Sequence, residues 1–367
     1  MGLSRDLGSE GKNVKIQNLT PYSMIGKIFC ISISLTAMAM ADAQCWKWIK
    51  IPVQNPPPDV YKLSYDKNAC KIAWVGDYES NPTKVALYYF NGKDWDAAWR
   101  GTPDVGNPYW VYRQSAGSFF DDKLNTLVLF GIVQSNYPFA IGTAAFKYIP
   151  GKGFVAISDL APFGIPPDQE NLLLGYAISY DSIKQRAILA CVWFNSWDQE
   201  TVEFDGSTFF YIHNSHYTCP VGWAGYDSNI GNTILYGVPA YDGNPPNYET
   251  DTSEYDGSHW TEMNQPICEN PSNCLNESDM AFVPEMNGLI TITATASATP
   301  QGGTWLYKNH KWEKLQVENQ IVTQLESSMA YDPNTDSVVL NTYIFSTPNI
   351  ETWVLRKAGH CRPVSRP

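Results

Sequence analysis

The sequence predicts an all-β fold: a six-bladed β-propeller of four-stranded antiparallel blades, its ring closed by the amino-terminal strand. Three observations predict it. A short turn between aromatic residues recurs, as "FNGKDW" at Phe90–Trp95, "YIPGKGF" at Tyr148–Phe154, "FDGSTF" at Phe204–Phe209, "YDGSHW" at Tyr255–Trp260 and "YKNHKW" at Tyr307–Trp312. The closing aromatics Trp95, Phe154, Phe209, Trp260 and Trp312 stand 59, 55, 51 and 52 residues apart, and a steady period near 50 marks stacked supersecondary units. The composition, 14% aromatic and only 17% charged with 26 Gly and 25 Pro, suits short strands and tight turns better than long helices.

Each unit opens on a second signature. It reads "LSYDKNACKIAWVG" from Leu63, "SFFDDKLNTLVLFG" from Ser118, "ISYDSIKQRAILAC" from Ile178, "AGYDSNIGNTILYG" from Ala224, "MAFVPEMNGLITIT" from Met280 and "MAYDPNTDSVVLNT" from Met329. Strand one ends in Tyr-Asp, whose carboxylate caps the backbone of the following turn. Strand two is a continuous apolar run such as "TLVLFG", which means burial on both faces. Strand three alternates, and strand four carries the aromatic. The glycine of "DGSHW" falls in the hairpin between strands three and four, where positive φ favours Gly or Asn.

The sixth unit lacks a fourth strand after "TWVLRK". The missing strand lies at the other end of the chain, where "KWIKIPV" from Lys47 matches "KWEKLQV" from Lys311 and puts Trp48 in the position of Trp312. A sheet stacked on one neighbour leaves an apolar face wet, so six such units imply a closed ring. Closure brings Cys45 and Cys361 to the place of the absent hairpin turn, and a Cys45–Cys361 disulfide is expected there. Cys268 and Cys274 share the loop "CENPSNC" and are expected to staple it.

Before the first strand, the apolar run Ile28–Met40 follows Lys27 and ends in small residues, the pattern of a secretory signal. Residues 1–43 are therefore expected to form an export signal, with Met24 the candidate true start. Residues 44–367 are expected to form the propeller, in a secreted or periplasmic protein that is monomeric and not membrane-inserted. A net charge of −12 argues against partners that present phosphate backbones or anionic lipid, so no nucleic-acid partner is expected.

The pattern "MAYDPNTDSVVLNTYIF…ETWVL" together with "EYDGSHW" resembles kelch-type repeats, as in galactose-oxidase-like propellers of the bacterial exported type. The resemblance spans roughly residues 46–361. It departs from the family where paired glycines after strand two shrink to the single Gly76, Gly131 and Gly237. It implies the architecture and no single activity, because propellers host enzymes, glycan binders and docking scaffolds alike.

Chemistry is sought on the face carrying the strand two–three loops and the inter-blade loops. His213 and His216 in "HNSH" form the one close histidine pair, short of a metal-ligand set, and no cofactor or metal is expected. The chain has no G-x-S-x-G elbow, and no two loop carboxylates stand out as a hydrolytic pair. No catalytic residue is assigned. The loops instead offer rings beside polar groups: Tyr78, Tyr109, Trp110, Tyr112, Tyr137, Trp197 with Asp198, Tyr241 and Tyr248. Such sets suit sugar stacking or a protein hot spot. The expected function is non-catalytic binding of a protein or glycan. The alternative is a carbohydrate-active enzyme using loop carboxylates on the same face.

Overall fold

Six small sheets stand in a ring in the computed structural model of the protein, which describes residues 45–78, 83–136, 139–157, 161–165, 177–195, 198–212, 220–239, 251–263, 265, 267, 278–293, 303–321, 327–344 and 347–358. After β1 (Cys45–Ile51), blade 1 holds β2 (Leu63–Asp66), β3 (Lys71–Asp77), β4 (Val85–Phe90) and β5 (Trp95–Gly101). Blade 2 holds β6 (Trp110–Asp121), β7 (Thr126–Asn136), β8 (Phe139–Ile149), β9 (Gly153–Ala156) and β10 (Ala161–Ile165). Blade 3 holds β11 (Ala177–Asp181), β12 (Arg186–Asn195), β13 (Asp198–Phe204) and β14 (Phe209–Ile212). Blade 4 holds β15 (Pro220–Asp227), β16 (Asn232–Pro239), β17 (Asp251–Tyr255) and β18 (Trp260–Glu262). Blade 5 holds β19 (Ala281–Val283), β20 (Gly288–Thr293), β21 (Gly303–Lys308) and β22 (Lys311–Lys314). After β23 (Val317–Glu318), blade 6 holds β24 (Ser327–Asp332), β25 (Ser337–Ile344) and β26 (Thr347–Ala358).

The ring closes as the sequence predicts. The amino-terminal strand β1 pairs antiparallel with β26 from Cys45↔Ala358 to Ile51↔Thr352, and Trp48 stands opposite Leu355. The first strands β2, β6, β11, β15, β19 and β24 are neighbours in turn around the axis. Two departures are local: β9 and β10 share the outer edge of β8, and β23 adds a short parallel pair outside β1. Cys361, Cys268 and Cys274 lie outside the described residues, as do residues 1–44.

The repeat signatures work through hydrogen bonds. Asp66, Asp121 and Asp181 each accept two backbone N–H groups of the turn that follows, the Asx-turn expected of that position. The last turn residue takes positive φ in every blade, at Cys70, Asn125, Gln185, Gly231, Asn287 and Asp336. In the outer hairpin Gly257 sits at φ 93° and Asn309 at φ 50°, a region open to Gly, which has no Cβ, and tolerated by Asn. Strand two is buried throughout in β20 and nearly so in β3.

Between blades, the strand-four aromatic reaches the third strand of the preceding blade. The indole N–H groups of Trp260, Trp312, Trp48 and Trp95 donate to the hydroxyls of Thr201, Thr252, Thr304 and Thr352 at 2.6, 2.8, 2.9 and 2.9 Å. Phe154 and Phe209 have no N–H, and the residues at the corresponding positions are Leu87 and Ala145, in their apolar clusters. The same holds one step further along. Tyr255 donates to Glu203 at 2.9 Å and Tyr307 donates to Glu254, while Leu355 meets Leu306 and Phe90 meets Val354 in apolar clusters.

At the axis a single cation gathers the ring. Lys62, just before β2, donates through Nζ to the Ile178 carbonyl, to the Ala224 carbonyl at 3.1 Å and to Asp279 Oδ1 at 3.2 Å. Asp279 is fully buried. Its Oδ2 accepts the Ser328 hydroxyl, Ser328 accepts the Leu63 N–H, and Ser118 donates to the Lys62 carbonyl. All six blades meet in this one network.

Candidate functional site

Up-and-down pairing sorts the connections onto two faces. Strand one–two turns and strand three–four hairpins share the turn face; strand two–three loops and inter-blade loops share the loop face. On the loop face of blade 1, β3 ends in Asp77 and runs into Tyr78, which is fixed by its N–H to the Lys84 carbonyl at 2.8 Å. β5 runs up beside them and delivers Arg100 opposite Ala86. Arg100 lies over the Tyr78 ring at 4.4 Å and near the Tyr88 ring at 5.4 Å. It donates to the Tyr78 hydroxyl at 2.9 Å and to the Tyr88 hydroxyl at 2.7 Å. A guanidinium has five N–H donors, so this exposed side chain is oriented by two bonds with others left for a ligand. Tyr109, set on an Asx turn by its N–H to Asn107 Oδ1, is 66% exposed just before β6.

Beneath this rim Asp77 ties blade 1 to blade 2. Its carboxylate accepts the Tyr61 hydroxyl at 2.9 Å, and the Ser115 hydroxyl and N–H at 2.8 and 3.0 Å. A longer bond comes from the Tyr112 hydroxyl at 3.4 Å. Burial raises the Asp77 pKa above the ordinary carboxylate range, and the bonds from Ser115, Tyr61 and Tyr112 work against that rise. A carboxylate so fully partnered is a brace. Its lone pairs are already taken, which leaves little capacity for proton traffic with a substrate.

Of the expected rings, Tyr78, Tyr109 and Tyr112 have described side chains. Tyr78 is half-buried beside Arg100, and Tyr109 is open to solvent. Trp110 opens β6 opposite Ser135; its side chain lies outside the described residues. Tyr112 does not join the surface: it is 1% exposed, its ring packs edge-on to Phe146, and a Cβ on Gly131 would stand 2.3 Å from it. The ring fills the space that the glycine leaves. Asp198 begins β13 opposite Asn195, its side chain also outside the description. Tyr137, Trp197, Tyr241, Tyr248, His213 and His216 lie outside the described residues. Arg100, and the buried Tyr88 that orients it, are not among the residues the sequence singles out. The signal was "WDAAWRG", which lifts a cation to the loop end of strand four. Among the described residues no group of three or more His, Cys, Asp or Glu is placed to hold a metal ion, and no helix is long and apolar enough to cross a membrane.

No protein-family profile matches the chain, and no curated protein matches its sequence. Solved structures match its fold at low identity. An arginine-to-alanine triple mutant of AofleA from Arthrobotrys oligospora superposes with a TM-score of 0.53 at 10% identity, over 86% of this chain and 88% of that one. A protein of unknown function from Dyadobacter fermentans gives 0.51 at 11% identity, over 85% and 98%. Trypanosoma rangeli sialidase in complex with the inhibitor DANA gives 0.50 at 11% identity, over 83% of this chain and 55% of that one. Identities this low speak to fold alone.

Proposed function

We propose that the protein is an exported, non-catalytic binding propeller of kelch-like type that takes a glycan on its loop face. Tyr78 and Tyr109 serve as ring platforms and Arg100 as the polar anchor. The observation that carries the reading is the Arg100 guanidinium, held over Tyr78 by two tyrosine hydroxyls at a solvent-facing rim. A sugar ring offers C–H groups to an aromatic face and hydroxyls or a carboxylate to a planar donor fork. From the sequence, Trp110, Tyr137, Trp197, Asp198, Tyr241 and Tyr248 are expected on the same face and would extend the proposed contact surface. The fully bonded state of Asp77 supports binding over hydrolysis. A glycan array run beside a glycosidase substrate panel tests the reading. Binding should fall about tenfold in R100A and in Y109A with melting temperature unchanged, the scale of one hot-spot side chain. Turnover abolished by one loop-carboxylate change in a folded variant would replace binding with catalysis. Capture of a protein, with no glycan retained, would replace the ligand class.

A further inference from the structure

On the opposite, turn face, the seam between the last blade and the first opens into a hollow of about 500 Å³. Its apolar wall is formed by Ile49, Ile51, Phe90, Val339 and Val354. The inter-blade pairs described above account for the opening. Where blades 3 and 4 send Glu203 and Glu254 across to a tyrosine of the next blade, blade 6 presents Val354 to Phe90, and the seam is crossed at the hollow's rim by the neutral Asn334, which donates to the Tyr65 hydroxyl at 2.7 Å and the Cys70 carbonyl at 3.0 Å.

The charges at the rim are also out of balance. Lys71 holds the position taken by Arg186 in blade 3 and Asn232 in blade 4, which bond Glu203 and Glu254. In blade 1 the glutamate position is Tyr89, whose hydroxyl is directed to Asp66. Lys71 is thus a cation without the carboxylate its position uses elsewhere. Arg356 lines the same hollow from β26. Among the described residues the side chain of neither Lys71 nor Arg356 makes a hydrogen bond or an ion pair. The rim carboxylate, Asp332, already accepts the Asn334 N–H and the Thr335 hydroxyl.

We propose that this seam hollow binds a small amphipathic anion, a carboxylate or sulfonate on an aromatic or branched apolar body. The volume falls within the range of pockets that enclose such molecules. Apolar walls lower the local dielectric and strengthen the pull of the two cations, on a chain whose net charge of −12 repels anions elsewhere. The site is independent of the loop-face reading.

Cys70 lines the hollow and its thiol is exposed, which makes it a built-in reporter. The probe is 8-anilinonaphthalene-1-sulfonate, with N-phenyl-1-naphthylamine as its uncharged counterpart. The sulfonate should bind with one-to-one stoichiometry and slow alkylation of Cys70 by iodoacetamide, read by peptide mass mapping. K71Q and R356Q should each weaken the sulfonate about tenfold, as loss of one charge-assisted contact does, and leave the uncharged probe unchanged. V354W should fill the wall and exclude both; if that variant does not fold, the two charge variants decide the matter alone. The proposal is overturned if the K71Q/R356Q double variant binds the sulfonate as the parent does, or if saturating sulfonate leaves the Cys70 alkylation rate unaltered.

Discussion

Replacing Lys62 with methionine tests the axial network most directly. Methionine keeps an apolar stem as far as Cε, so the loss is confined to the ammonium. Asp279 has no solvent exposure and the Lys62 side chain only 14%. Its Oδ1 would retain the Met280 N–H at 2.9 Å and its Oδ2 the Ser328 hydroxyl at 3.3 Å, but the charge would be uncompensated. Removing one partner of a buried ion pair typically costs ~3–5 kcal/mol. The Ile178 and Ala224 carbonyls also lose a donor, which water can replace only in part in a buried site. A ring of about 315 residues has an unfolding entropy near 0.6 kcal/mol/K at roughly 2.1 cal/mol/K per residue. The melting temperature of K62M should therefore fall by about 5–8 °C at neutral pH.

The pH dependence carries a definite sign. Burial raises the Asp279 pKa despite the Lys62 charge, so without Lys62 it rises further. A raised carboxyl favours the folded state at acid pH and loses that contribution as pH climbs through its folded value. The K62M deficit should shrink toward about pH 4 and be largest above neutrality. D279N added to K62M should recover most of the lost stability, because a neutral amide has no charge to strand. Thermal denaturation followed by tryptophan fluorescence reads all three chains. A K62M protein within about 1 kcal/mol of the parent at pH 7, well under the cost of stranding a buried charge, would refute the reasoning.

Three further outcomes are expected. W260F strands the Thr201 hydroxyl and should cost about 1 kcal/mol, while W260F/T201V should recover most of it, since Phe154 with Leu87 shows the apolar version of the same contact; urea denaturation of the two variants and the parent measures this. The pKa values of Asp77, Asp121 and Asp227 are raised, chiefly by burial, so these three contribute a decline in stability as pH rises from about 4, against the opposite contribution of Asp94, Asp205, Asp256 and Asp336, whose pKa values are lowered; D77N should remove its share of the decline in a melting-temperature series. G131A would place a Cβ 2.3 Å from the Tyr112 ring and should cost ~1–3 kcal/mol as an overpacked site, read by chemical denaturation.

The architecture was legible because its signals are periodic. Six strand one–two turns, four of them opening on Tyr-Asp, and five aromatic hairpins repeat in register, and Trp48 announces its place in the last blade by likeness to Trp312. What repeats least was read least well. Lys62 looks like a surface residue preceding an apolar strand; its partner Asp279 is 217 residues away, and each occurs in one blade only. Tyr112 sits in "NPYWVYR", a stretch whose polar and turn residues favour a loop, yet β6 already begins at Trp110 and carries the tyrosine inward. Gly131 held the clue, since a glycine inside an apolar strand marks a close approach. The rim that joins Arg100 to Tyr78 depends on three strands lying side by side, which no single stretch of sequence displays.

The inter-blade pairs bear on why similar blades assemble in one order. An indole N–H facing Leu87 or Ala145 would be buried without an acceptor, and Thr201 facing a phenylalanine would lose its donor. Each such mismatch costs roughly 1–3 kcal/mol, so exchanging two neighbours penalises several interfaces at once. The glutamate–tyrosine pairs at blades 3–4 and 4–5 add a charge to that discrimination, because an unpartnered Glu203 or Glu254 is far costlier to bury than a hydroxyl. The seam between blades 6 and 1 keeps the Trp95–Thr352 bond but has no such charged pair. The blade 6 sheet that flanks it is completed by the seven backbone pairs that bind β1 to β26. Asn334 supplies a neutral crossing there, donating to the Tyr65 hydroxyl and the Cys70 carbonyl, and the turn-face wedge beside it is lined by Lys71 and Arg356, whose side chains have no carboxylate partner among the described residues.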